Sequence, residues 1–204
     1  MNREKLNMSP EMRAVQRELT ISRDELLSRA AGVAKWIEDC LADGTHETWM
    51  PHLTVWRKPG AGQAEEMSMF ALAVDFNTDA EKRRTMHWAG QQVADAGGGP
   101  TCAILTAEAW ASSDKRFSGG PDGSQPKDDP NNREIITVQG MTMMHPLCVG
   151  AQTPLRRARG RILPVKFDKP AILNCPRLKL IEWFVQGYMA GIAMKHGRDL
   201  DERN

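Results

Sequence analysis

Arg157, Arg159 and Arg161 recur at every second position. On an extended strand that spacing projects all three guanidinium groups from one face and leaves Ala158, Gly160 and Ile162 on the other. Arg156 adjoins the ridge, and Arg177 and Lys179 follow in the first turns of what reads as a helix opening near Asn174–Pro176. A helix start already carries partial positive charge from the backbone dipoles, so cations there oppose it. A bound anion relieves both features, which makes recognition of a phosphate, a nucleic-acid backbone or an acidic protein face the implied chemistry. Arg156, Arg157, Arg159, Arg161, Arg177 and Lys179 are the candidate anion-binding residues. The competing reading pairs these cations with acids of the 112–132 segment or of the C-terminal tail on a solvated face.

Catalytic chemistry finds less support. His46-Glu47-Thr48 and His52-Leu53-Thr54 are HxT triplets like those of two-histidine phosphoesterases, but those belong to separate converging strands, whereas these lie six residues apart in a loop-like segment. His46, His52, His87 and His145 show no HExxH or HxH spacing that would set a metal geometry. The four cysteines (Cys40, Cys102, Cys148, Cys175) form no CxxC pair, and GxSxG is absent. Gly97-Gly98-Gly99 precedes a strand rather than a helix, so its amides gain no helix N-terminus for phosphate. No catalytic residue, metal or cofactor is therefore assigned. The small-xxx-small pattern of Gly187 and Gly191 lets a backbone approach the last helix closely, either within the chain or across a homodimer.

Positioning these residues requires a framework, and its punctuation is readable. Ser9-Pro10-Glu11 starts a short helix or arm on which Met12, Val15 and Leu19 share a face. Ser22-Arg23-Asp24-Glu25 is a capping box opening a helix over about 22–43, and Asn77-Thr78-Asp79-Ala80-Glu81 opens a second over about 79–95. Residues 66–76, 101–111 and 133–143 read as strands, 156–167 as another, and 176–196 as an apolar helix. The 45–64 stretch, punctuated by prolines and glycines, reads as loop with at most one short strand near Leu53–Trp56. Residues 66–111 then form a strand–helix–strand unit with parallel strands. Ser112–Asn132, rich in Gly, Pro, Ser and Asp, reads as a long mobile loop.

Composition bounds the rest. At 204 residues, 41% hydrophobic and 26% charged, the chain has globular composition, and its formal net charge of +1 excludes a uniformly basic protein. That balance conceals a basic segment: residues 156–179 hold eight Lys and Arg against Asp168 alone, a net +7 that leaves −6 for the remainder. No signal-like or bilayer-spanning apolar run occurs, which implies a cytoplasmic protein without membrane contact.

The run Ala107-Glu108-Ala109-Trp110, a Pro/Gly-rich loop, and then Pro126 to Glu134 entering a strand resembles a pattern in uncharacterised bacterial and phage-associated proteins. In those a strand ending in EAW is followed by a loop of P-S-x-x-P-x-R-x-E type. Here Lys127 stands where Ser is common, and Arg133 directly precedes Glu134. The resemblance spans Thr101–Met141 and implies a bacterial or phage context without any activity. Physically, Arg133 and Glu134 can tie the loop exit to the sheet, and Trp110 can cover the strand end.

These readings define a single α+β domain over 21–197, with an arm at 1–20 and a tail at 198–204. The sheet is mixed with four or five strands, and its helices pack mainly on one face. The function expected is non-enzymatic binding of an anionic partner, nucleic acid or acidic protein, through residues 156–179. The alternatives are a hydrolase of phosphorylated or nucleotide substrates using His52, His87 or His145 as base, and a protein-interaction or inhibitory protein acting through its C-terminal helix.

Overall fold

A computed structural model describes residues 10–60, 62–72, 78–114, 126–144, 147–175 and 178–201. The caps fall where the sequence puts them. Helix α1 covers Pro10–Leu19, and the Ser22 hydroxyl accepts the Glu25 backbone N–H at 3.1 Å to start α2, Arg23–Cys40. Thr78 and Glu81 exchange backbone and side-chain hydrogen bonds at the start of α3, Asp79–Ala96. The last helix, α4, is Lys179–Asp201, so it starts three residues later than expected and runs past the boundary at 197.

The strands are β1 (His52–Lys58), β2 (Glu66–Ala71), β3 (Gly99–Ala111), β4 (Arg133–Thr142), β5 (Cys148–Pro154), β6 (Arg157–Ala158), β7 (Arg161–Ile162) and β8 (Ala171–Ile172). Six of them form one sheet in the order β2-β1-β3-β4-β5-β8, and β6 and β7 form a separate hairpin. The fold is α+β as expected, but the sheet has six strands, and every ladder in it is antiparallel rather than mixed. The difference comes from β1, which Pro51 and Pro59 bracket rather than break. It inserts between β2 and β3, which remain parallel to each other but are not neighbours. The 73–76 end of the expected strand lies outside the described residues.

Alternation along β3 divides the core in two. Cys102 and Ile104 join Ile136, Val138 and Val149 beneath α2, whereas Ala103 and Leu105 join Leu53, Val55, Met141 and Cys148 beneath α3 and α4. Two of the three long helices thus share a face, and α2 covers the opposite one. Close approach of α3 to α4 depends on glycine: a Cβ on Gly187 would sit 2.2 Å from the His87 carbonyl oxygen, and one on Gly191 2.7 Å from the Ala94 Cβ. The small-residue stripe of α4 is therefore used within the chain, against α3.

Only Ser112–Asp114 and Pro126–Asn132 of the 112–132 segment are described, the remainder lying outside the described residues. Asp129, 4% exposed, accepts from the Ser112 hydroxyl and from the Asn131 backbone N–H at 2.8 Å, joining the two ends of the segment.

Candidate anion-binding surface

The stretch expected as one strand over 156–167 is instead the β6–β7 hairpin. Arg159 has φ 52° and Gly160 φ 79°, the two positive values of a two-residue type I′ turn, whose twist matches that of the flanking strands. Arg159 is the one non-glycine residue with positive φ among the described residues. That conformation costs an L-residue about 1–2 kcal/mol, and Asn or Gly would hold it more cheaply. What arginine adds is a cation at the hairpin tip.

Because the chain reverses at 159–160, Arg157 and Arg161 do not share a face. Arg157 pairs with Ile162, and Ala158 with Arg161. Ile162 is fully buried, and its N–H donates to the His46 carbonyl at 2.7 Å. Arg157, on the same inner face, donates from Nε to Glu134 at 3.0 Å, from Nη2 to Glu108 at 2.9 Å, and from Nη1 to the Glu47 carbonyl. Burial pulls the Arg157 pKa down, but the two carboxylates outweigh it and hold the group above its ordinary value. Arg157 is thus held at the root of the hairpin by two carboxylates, although it stays exposed to solvent.

Arg156 and Arg161 take the outer face, and Arg159 the tip. All three are exposed, and none has an ion-pair partner among the described residues. The Arg156 carbonyl accepts from the Leu163 N–H at 2.8 Å, which fixes the backbone beside it. A cavity of about 240 Å³ opens next to it, lined by Thr153, Pro154, Arg156, Pro164, Val165 and Lys166. Two of its six lining residues are cations. Lys166 is 86% exposed and lies 3.7 Å from Glu38, too long and too solvated to neutralise it strongly.

Two other arginines serve the fold. Arg29 binds Glu65 at 2.7 Å and lies over the Trp56 ring at 5.2 Å, while Arg57 donates to the Gly97 carbonyl at 2.7 Å, closing the C-terminus of α3.

The six candidate residues thus separate. Arg156, Arg159 and Arg161 form the outward group, with Lys166 joining them, and Arg157 is the ion-paired anchor of the hairpin. Lys179 binds Asp79 at 2.7 Å and lies 4.9 Å over the Trp183 ring. An acid at the start of α3 therefore answers the cation at the start of α4; in return the Lys179 hydrogen bond holds the Asp79 carboxyl below its ordinary pKa. Arg177 lies outside the described residues. The competing reading pairs the arginines with acids of the 112–132 segment or the tail; for Arg157 the partners are Glu108 on β3 and Glu134 on β4. Glu134 therefore serves the hairpin rather than the loop exit, and Trp110 remains 45% exposed instead of covering the strand end.

Of the described histidines, His52 and His87 lie on opposite faces of the sheet. His52 packs between Trp36 and Trp49 on the α2 side, with ring centroids 5.2 and 5.1 Å away, whereas His87 belongs to α3 on the opposite side, 3.3 Å from the Gln186 side-chain oxygen. His145 lies outside the described residues. Among the described residues no group of three or more His, Cys, Asp or Glu is placed to hold a metal ion. All four cysteines are free thiols. Burial pushes the Cys102 thiol up to about 11; burial and a hydrogen bond with Cys175 push Cys148 up to about 12, so neither supplies a thiolate nucleophile at neutral pH.

The fold and this surface define an α+β protein with a cationic β-hairpin. Compared with protein-family models, curated proteins and solved structures, the chain finds no significant match in any of the three. Among the described residues no helix is long and apolar enough to cross a membrane.

Proposed function

We propose that the protein is a non-enzymatic, cytoplasmic binding protein that engages an anionic partner through Arg156, Arg159 and Arg161, with Lys166 at the rim of the adjoining cavity. One observation carries the reading: Arg157 is held by two carboxylates of its own chain, while Arg156, Arg159 and Arg161, likewise exposed, have no ion-pair partner among the described residues. An arrangement that served stability alone would need only the anchored one. The left-handed arginine at the tip supports the same reading, because it accepts a conformational cost in order to present charge.

The test is binding of the full chain to a simple polyanion, inorganic polyphosphate, over a range of salt. Three contacts released with their counterions give a slope of log K against log salt of about −2 to −3. R156E/R159E/R161E abolishes binding while Arg157 is left in place, because its loss would strand Glu108 and Glu134. Salt-independent binding, or a triple variant that binds like the wild type, overturns the proposal.

A further inference from the structure

Trp110 stands at the end of β3 on the side of the sheet that carries Glu108, since the two are separated by two positions on one strand. Its cross-strand neighbour on β4 is Glu134. Glu134 is drawn to Arg157 Nε at 3.0 Å. The Trp110 residue is left 45% exposed, its backbone one strand spacing (about 5 Å) from that of Glu134, which anchors the hairpin. A half-exposed indole and a group of outward arginines thus occupy the same end of the sheet.

We propose that this end of the molecule binds single-stranded nucleic acid, a base stacking on Trp110 while the backbone phosphates lie along Arg156, Arg159 and Arg161. The inference rests on the anion-binding reading and gives it a substrate class. The arginines alone suit any polyanion. The indole narrows the choice, because a nucleobase has a π-face to lay on it and an acidic peptide or polyphosphate has none. It also separates single strands from duplexes, whose bases are stacked on one another and out of reach. Recognition of this kind is tolerant of sequence and sensitive to salt.

Fluorescence anisotropy of a labelled oligothymidylate, a duplex of the same length, poly-glutamate and inorganic polyphosphate separates the possibilities, using the full chain throughout. The single strand is expected to bind more tightly than the duplex. W110A is expected to weaken single-strand binding roughly 5- to 150-fold, the factor that one lost base–aromatic stack carries. W110F is expected to retain most of the affinity, and polyphosphate binding should be the same in all three proteins. Three results overturn the platform while leaving the anion-binding reading intact: a W110A affinity within twofold of wild type, duplex binding as tight as the single strand, or a preference for poly-glutamate. Failure of every polyanion to bind overturns both.

Discussion

Glu108 joins more of the molecule than any single role suggests. Its Oε1 accepts the Trp49 backbone N–H, its Oε2 accepts Arg157 Nη2 at 2.9 Å, and Trp49 in turn donates from its indole to the Thr106 hydroxyl at 3.2 Å. His52 completes this group, with Nδ1 2.7 Å from the Met50 carbonyl oxygen; a carbonyl only accepts, so Nδ1 carries the proton. Burial holds the His52 pKa below its ordinary 6.5, against the weaker opposing pull of that hydrogen bond. The native state therefore favours the neutral ring, and unfolding releases it to titrate normally. Its contribution to stability is complete above about pH 6.5 and declines as the pH falls below that value. The denaturant midpoint is expected to drop between pH 7.5 and 5.5, and to drop less in H52Q. A His52 ring whose NMR titration midpoint lies at or above 6.5 would contradict the assignment. At this scale the sequence made the caps legible, because Ser22 and Thr78 answer to backbone groups three residues away. Arg157 was legible as a cation but not as an anchor, since its carboxylate partners lie 49 and 23 residues distant and only the ladders bring them together.

Among the elements, those with their own punctuation or a long apolar run were readable, and those completed by their neighbours were not. β5 (CVGAQTP) has few large side chains to reveal it, and the space at Gly150 is taken by Leu173, where a Cβ would lie 2.9 Å from a methyl carbon. β8 is only two residues long. The 156–162 hairpin reads as a single strand in sequence because its turn carries arginine where Asn or Gly is usual, which hides the reversal from any pattern of alternation. The α3–α4 pair shows the opposite case. Spacing marked Gly187 and Gly191 as a close-approach site but left open what approaches, and the geometry answers with α3. Gly187→Ala places its methyl group against the His87 backbone and should force the helices apart, costing about 1–3 kcal/mol. In thermal denaturation that is a fall of a few degrees in Tm. An unchanged Tm would mean that the two helices are not held as closely as the backbone contact requires.

For the molecule as a whole, the near-zero net charge and the basic segment describe different things. Arg157 and Lys179 are bound to acids of the same chain, so the cationic surface is narrower than the +7 of residues 156–179 suggests. The sheet shows a similar gradient in protection. β3 is paired on both sides and covered on both faces, by α2 on one and by α3 and α4 on the other. β2 is paired only with β1; Met67 and Met69, which share its α2-side face, are 58% and 42% exposed. Half of its amides point away from any partner strand. Opening free energy follows burial and pairing, so β3 and β4 amides should exchange only with global unfolding, and β2 amides should exchange much faster. Hydrogen exchange followed strand by strand tests this directly. β2 should remain the faster at every protein concentration. Protection of β2 equal to that of β3 in dilute protein would contradict its place at the edge, and protection that rises with concentration would mean that a second copy covers it.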